Sequence, residues 1–209
     1  PSAIRRKVAF SEAVYAGQIT IEGITACLAS KSKIENILYS GKIPVVVDPD
    51  CTILKEWKPK ILVDGILAKK NMGTTRDMAD ITIGLGPGFT AGEDVDAVIE
   101  TMRGHNLGRI YYSGQAIPNT GKPAKIGGYD KERVIYSPVD GIVRCPGRIG
   151  EQINRGEQIA RIGELPVRAE ISGILRGILP EGFRATKGCK MADIDPRLEE
   201  KENCNTISD

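Results

Sequence analysis

Val139-Asp140-Gly141-Ile142-Val143-Arg144 returns 32 residues later as Ile171-Ser172-Gly173-Ile174-Leu175-Arg176. The same offset carries Gly150 onto Gly182, Gly156 onto Gly188 and Ile162 onto Ile194. Three glycine coincidences at one spacing mark a duplicated unit. Each copy is a string of short β-branched runs punctuated by glycine. Neither copy is large enough to bury a core alone, so the two must interlock. The glycines suit turns that a Cβ would obstruct.

This layout predicts an all-β barrel-sandwich hybrid domain over 135–196, the shape of biotinyl and lipoyl carriers. A swinging-arm carrier needs a lysine at the hairpin tip joining the halves. The tip is read here as Glu164-Leu165-Pro166-Val167-Arg168, where arginine cannot take the modification. Neither biotin nor lipoate is therefore expected, and the domain reads as a binding or docking module. Before it, Pro118 to Gly128 is rich in proline and glycine and opens a linker over 118–134. After Pro196, residues 197–209 read as a polar, solvated tail.

Residues 1–117 alternate helix signals with apolar runs, which predicts an α/β domain with an open parallel, Rossmann-like sheet and right-handed crossovers. Ser32-Lys33-Ile34-Glu35 has a capping-box pattern, and Ile43 to Val47 reads as a buried strand. Lys60 to Asp64 reads as the next strand, parallel to it across a short helical piece. Ile81 to Leu85 gives a third strand. Thr90-Ala91-Gly92-Glu93 offers a second capping box, with Val95, Val98, Ile99 and Met102 as one helix face, and Arg109 to Tyr112 closes the pattern as a fourth strand.

Charge and cysteine usage narrow the function class. The 29 basic and 27 acidic side chains leave a net charge of +2, without the clustered basic surface a nucleic-acid partner requires. No apolar run approaches the ~18–20 residues of a membrane-spanning helix. Five scattered cysteines without a C-x-x-C pair indicate reduced thiols in a cytoplasmic protein. With His105 the only histidine, a Cys/His metal site is not expected.

Two segments are candidates for ligand chemistry. Gly84-Leu85-Gly86-Pro87-Gly88-Phe89 lies where a strand would hand over to a helix N-terminus, a position that favours anions. Lys69 and Lys70, with Gly73 and Thr74, follow the preceding strand and would project into the same crevice. A tight turn and a solvated loop are the plain alternatives. His105 is a conceivable acid/base, and Cys51 could be a reactive thiol or an inert one. Catalytic residues are not assigned. Gly121-Lys122 is not a P-loop, because Pro123 stands where Ser or Thr must meet magnesium.

Four motifs in order carry a family likeness. They are Ile4-Arg5-Arg6-Lys7-Val8-Ala9-Phe10-Ser11-Glu12-Ala13-Val14-Tyr15, Ala79 to Phe89, Glu100-Thr101-Met102-Arg103-Gly104-His105, and Ala192-Asp193-Ile194-Asp195-Pro196-Arg197. Together they resemble the YqeB-type accessory proteins of the selenium-dependent molybdenum hydroxylase system. The middle part also resembles the Rossmann domain of xanthine dehydrogenase accessory factors. The likeness implies a cytoplasmic maturation factor that binds nucleotide-linked molybdenum cofactor, as molybdopterin or its cytidine dinucleotide, or handles its sulfur or selenium ligand. The implied partners are a molybdenum hydroxylase apoenzyme and other cofactor-maturation proteins. The family pattern begins with a strand and a glycine-rich turn that this sequence lacks, so the expectation is an open sheet edge covered by another chain, as in a homo-oligomer, or else a rearranged domain. An NAD(P)-binding oxidoreductase and a ligand-free scaffold are the rival readings.

Overall fold

Gln18-Ile-Thr-Ile and Ile24-Thr-Ala-Cys-Leu alternate on either side of Glu22-Gly23, and both turn residues take left-handed backbone angles, φ 47° and 82°. That is the geometry a two-residue hairpin demands. The computed structural model, which describes residues 3–123 and 125–207, accordingly pairs β1 (Gln18–Ile21) with β2 (Ile24–Leu28). A short helix α1 (Ala13–Ala16) precedes the hairpin, and α2 (Ile34–Tyr39) leads to β3 (Ile43–Val45), which lies parallel to β2. The strand–helix–strand unit is thus β2-α2-β3. The expected parallel pairing of 43–47 with 60–64 is not formed, because the hairpin already supplies β3 with its neighbour. The predicted capping box is also unused: Ser32 bonds Ser30 at 3.2 Å, and a 3-10 turn over Lys31–Lys33 opens the helix.

Contacts group the chain into two units, one formed by residues up to Val47 and from Pro123 onward, the other by Asp48–Lys122. The second holds β4 (Ile61–Asp64), β5 (Ile81–Leu85), β6 (Thr90–Ala91), β7 (Ala97–Ile99), β8 (Ile110–Tyr111) and β9 (Gly114–Gln115). Its main sheet runs β4-β5-β7-β8, with the first two pairings parallel and the last antiparallel. Two expectations are corrected here. The helix over 90–104 is absent, and the fourth strand reverses direction. The carboxylates of Asp94 and Asp96 explain the first. Asp94 accepts the amide of Thr90 at 2.8 Å, and Asp96 accepts both the amide and hydroxyl of Thr82 at 2.8 and 2.9 Å. Bonds that bind the segment to itself and to β5 compete with a helical ladder.

Register sets the two faces of this sheet. Val98 packs with Phe89, Ala91 and Val95 into a small core on one side. The opposite side presents Ile61, Val63, Ile81, Ile83, Leu85, Ala97, Ile99 and Ile110, with no polar residue among them. Ile61, Val63, Ile81 and Ile110 are each about half exposed. Parallel sheets ordinarily have both faces covered.

The duplicated segment forms β10 (Val134–Tyr136), β11 (Gly141–Arg144), β12 (Gln152–Ile153), β13 (Gln158–Ile162), β14 (Leu165–Arg168), β15 (Gly173–Ile178), β16 (Arg184–Ala185) and β17 (Lys190–Asp195). β11, β12 and β13 start 32 residues before β15, β16 and β17. The copies interlock by exchange: β12 pairs with β15 of the second copy, and β16 pairs with β11 of the first. The result is two four-stranded sheets, β10-β17-β15-β12 and β14-β13-β11-β16. Val143, Ile159, Leu175, Ile178, Met191 and Ile194 fill the core between them. The hairpin tip falls at Gly163-Glu164, while Leu165 to Arg168 are strand.

Both ends of the chain pack on this core. The amide of Ile178 bonds the carbonyl of Ile4 at 2.9 Å, and a Cβ on Gly177 would press on the Ile4 backbone. The described part of the segment after Pro196, 197–207, is largely exposed, as expected of a polar tail, but it is held on the core at one point. A 3-10 helix over Leu198–Asn205 buries Cys204, and the Arg5 guanidinium bonds the carbonyls of Asn203 and Thr206 at 3.1 and 2.9 Å. Its polar composition hid the contact, because the apolar anchor is a single thiol. Among the described residues no helix is long and apolar enough to cross a membrane. Gly173 lies against the carbonyl of Asp195, where a Cβ would collide with backbone. Gly173→Ala should therefore lower the unfolding free energy by about 1–3 kcal/mol in urea titration.

Candidate functional site

β4 and β5 run in the same direction, so their carboxyl ends and the loops that follow lie at one end of the sheet. Asp64, buried at the end of β4, accepts the Thr74 hydroxyl at 2.6 Å and the Ile66 amide at 3.0 Å. Asn71 organises the rest of this loop. Its Oδ1 accepts the amides of Gly73 and Thr74, each at 2.8 Å, and its Nδ2 donates to the Thr74 carbonyl at 2.8 Å. The loop therefore has a defined shape despite its exposed polar sequence. Its geometry rests on Asp64 and Asn71, which sequence reasoning did not single out. An Asn two residues before a glycine is the signal that could have found the turn.

The two candidate segments meet. The Asn71 amide donates to the Gly88 carbonyl at 3.1 Å, and a Cβ on Gly88 would stand 2.5 Å from the Lys70 Cα. Gly88 is needed for that approach, at a left-handed φ of 112°. Gly86, at φ 78°, lies against the Thr101 hydroxyl and donates its amide to the Ile99 carbonyl at 2.8 Å. Gly84 lies under the ring of Phe89, which is a core residue at 4% exposure. The space beside these three glycines is thus occupied by protein. Lys69 and Lys70 are exposed, and Lys69 itself takes a left-handed φ of 64°.

A cavity of about 490 Å³ opens beside the β4 end. Gly73 and Thr74 are on its wall, while Lys69, Lys70, Gly84, Gly86, Gly88 and Phe89 are not among its lining residues. Leu54, Leu62, Met72 and Met78 make it largely apolar, and Asp50, Asp64 and the exposed thiol of Cys51 add polar groups. Cys51 stands in a left-handed conformation, φ 51°, at the start of a 3-10 turn over Thr52–Lys55. The arrangement offers soft and apolar contact inside the cavity, with cations on the adjoining loop.

A further acidic group stiffens the sheet. Glu100, 1% exposed, accepts the amides of Met102 and Ile117 at 2.8 Å each. It is a buried clamp for the segments flanking β7 and β9. His105 lies in the exposed turn between β7 and β8, away from any helix terminus.

No family model matches the chain. A curated protein does: the chain is 50% identical over 200 residues to the uncharacterized protein YqeB of Escherichia coli strain K12. The chain is similar to YqeB along nearly its whole length. The aligned region covers 95% of this chain and 37% of YqeB, so the chain spans little more than a third of that relative. Among solved structures, the ectoine utilization protein EutE (DoeB) from Ruegeria pomeroyi matches in product-bound and apo forms at 19% and 20% identity. The matches cover 42% and 41% of this chain and 28% of each structure, at a TM-score of 0.28, too low to bear on fold or chemistry.

Asp96 ties β5, β7 and the 76–78 turn together. The Thr82 amide, then the Arg76 guanidinium at 2.7 Å and the Thr82 hydroxyl, hold its carboxyl below the ordinary value of 3.8. A depressed folded-state pKa contributes stability above the unfolded value, and that contribution is lost as pH falls through the folded value. The stability advantage of the wild type over Asp96→Asn should therefore be level near neutrality and shrink below pH 3.8, measured by chemical denaturation across pH.

Proposed function

We propose that this chain acts in the maturation of a selenium-dependent molybdenum hydroxylase, handling the molybdenum cofactor or its sulfur or selenium ligand. The observation that carries this reading is the meeting of the β4 and β5 loops, through Asn71 and Gly88, next to a cavity at the carboxyl end of β4. That is where open α/β sheets hold their ligands. The order of the four motifs along the sequence supports the same assignment. In this reading the β4-β5-β7-β8 sheet belongs to a Rossmann-like domain, and the interlocked repeat is a barrel-sandwich hybrid that docks the hydroxylase apoenzyme.

The lining fits a pterin in size and character. A cavity of about 490 Å³ with Leu54, Leu62, Met72 and Met78 on its walls suits an apolar ring system. The phosphates of the cofactor need cations, and Lys69 and Lys70 on the same loop supply them. When bound, the cofactor would bring the molybdenum and its sulfur or selenium ligand. The chain's own residues orient the ring and neutralise charge.

Calorimetric titration of the chain with molybdopterin cytidine dinucleotide tests this. Saturable binding is expected, weakened about tenfold, or ~1.4 kcal/mol, by Lys69→Ala with Lys70→Ala. Absence of heat and of any thermal shift would remove the cofactor reading and leave a scaffold.

The expected homo-oligomer draws support from the aliphatic face carrying Ile61, Val63, Ile81 and Ile110. A second copy laid on that face would cover both. Val63→Lys should then shift the sedimentation profile to the monomer with the fold intact.

A further inference from the structure

A second cavity, of about 540 Å³, lies within the unit that holds the repeat, between the first 3-10 turns of the chain and the loop that follows β11. We propose that it is a binding site for a small organic phosphate, independent of the reading given above.

The charge on its walls is unbalanced. Arg6 is committed to structure: its Nε donates to the Ile178 carbonyl at 3.1 Å and its Nη1 pairs with Glu12 at 2.9 Å. Lys7 and Arg148 line the same cavity, both are exposed, and among the described residues neither has a carboxylate partner. One comes from the N-terminal turns and the other from the repeat, so two cations from distant parts of the sequence border one space. Two uncompensated like charges in one concavity repel each other and attract an anion. An ammonium beside a guanidinium fork matches phosphate oxygens.

The walls are firm. The Gly147 amide bonds the Ile159 carbonyl at 2.8 Å, the Gly150 amide bonds the Leu175 carbonyl at 2.9 Å, and the Cys145 amide bonds Glu181 at 2.7 Å. The Arg148 backbone is therefore tied to both copies of the repeat on either side. Ile19, Pro146 and Ile149 supply an apolar shoulder. The volume suits a ligand of nucleotide size, with its charged end between Lys7 and Arg148 and a ring against that shoulder.

The internal duplication provides a built-in comparison. At the 32-residue offset, Pro146, Gly147 and Arg148 correspond to Ile178, Leu179 and Pro180. In the second copy these positions hold buried apolar residues, with Ile178 and Leu179 in the core. The fold thus does not call for a cation or a cavity at this place, and the two copies diverge where the site lies.

The test is calorimetric titration of the full chain with cytidine 5′-diphosphate, adenosine 5′-diphosphate and inorganic phosphate at two salt concentrations. Saturable binding of one nucleoside diphosphate per chain is expected, tighter than inorganic phosphate. Lys7→Ala and Arg148→Ala should each weaken it about tenfold. Lys69→Ala with Lys70→Ala should leave it unchanged, which separates this site from the one on the other unit. Both new variants alter exposed side chains, and unchanged thermal unfolding will verify their fold. Binding that survives both substitutions, or fails to saturate with every probe, overturns the proposal. Inorganic phosphate binding as tightly as the nucleotides overturns the assignment of an organic ligand.

Discussion

The exchange of one short strand between two copies of a repeat is the constraint on which the larger unit depends. β12 and β16 contribute only two residues each, yet each completes the sheet of the other copy. Neither half can close its core without that exchange, so folding of the two is necessarily joint. Backbone also meets backbone in this unit. Gly173 at Asp195, within the second copy, and Gly177 at Ile4 are positions where a Cβ would press on main-chain atoms. Through Gly177 the N-terminal segment reaches the core, and through Arg5 it is linked to the C-terminal 3-10 helix.

Several residues that carry the family likeness have structural work in this fold. Asp193 meets Arg133 at 3.0 Å, both almost fully buried, and Lys190 at 3.9 Å. Burial alone would raise the Asp195 carboxyl, but hydrogen bonds and charge from Arg197 outweigh it and hold it below the ordinary aspartate value. Burial pushes the Cys204 thiol up, as befits a packing residue. The segments that carry the likeness therefore hold core and clamp positions here.

Around the first cavity the same economy holds. Gly84 and Gly86 accommodate Phe89 and Thr101, and the amides of Gly73 and Thr74 are already taken by Asn71. A glycine-rich loop after a strand looks the same in sequence whether its empty Cβ positions admit a phosphate or a neighbouring side chain. Only the packing distinguishes them. Carboxylates had the larger unread role: Asp64, Asp96 and Glu100 are ordinary surface types by composition, yet each accepts backbone or hydroxyl bonds that hold the loops and strands of the smaller unit.

The strand positions of the repeat, the glycine turns and the β4 and β5 segments were legible in the residues, because side-chain period and turn chemistry are local properties. The β1-β2 hairpin around Glu22-Gly23 went unread, although its signals are equally local. What a linear reading could not reach was partner choice: that β3 joins β2, that β8 reverses, that 97–99 is strand, and that a polar terminal segment packs on the core. Each depends on which backbone donors and acceptors are already satisfied by distant residues. That accounting closes only when the whole chain is folded.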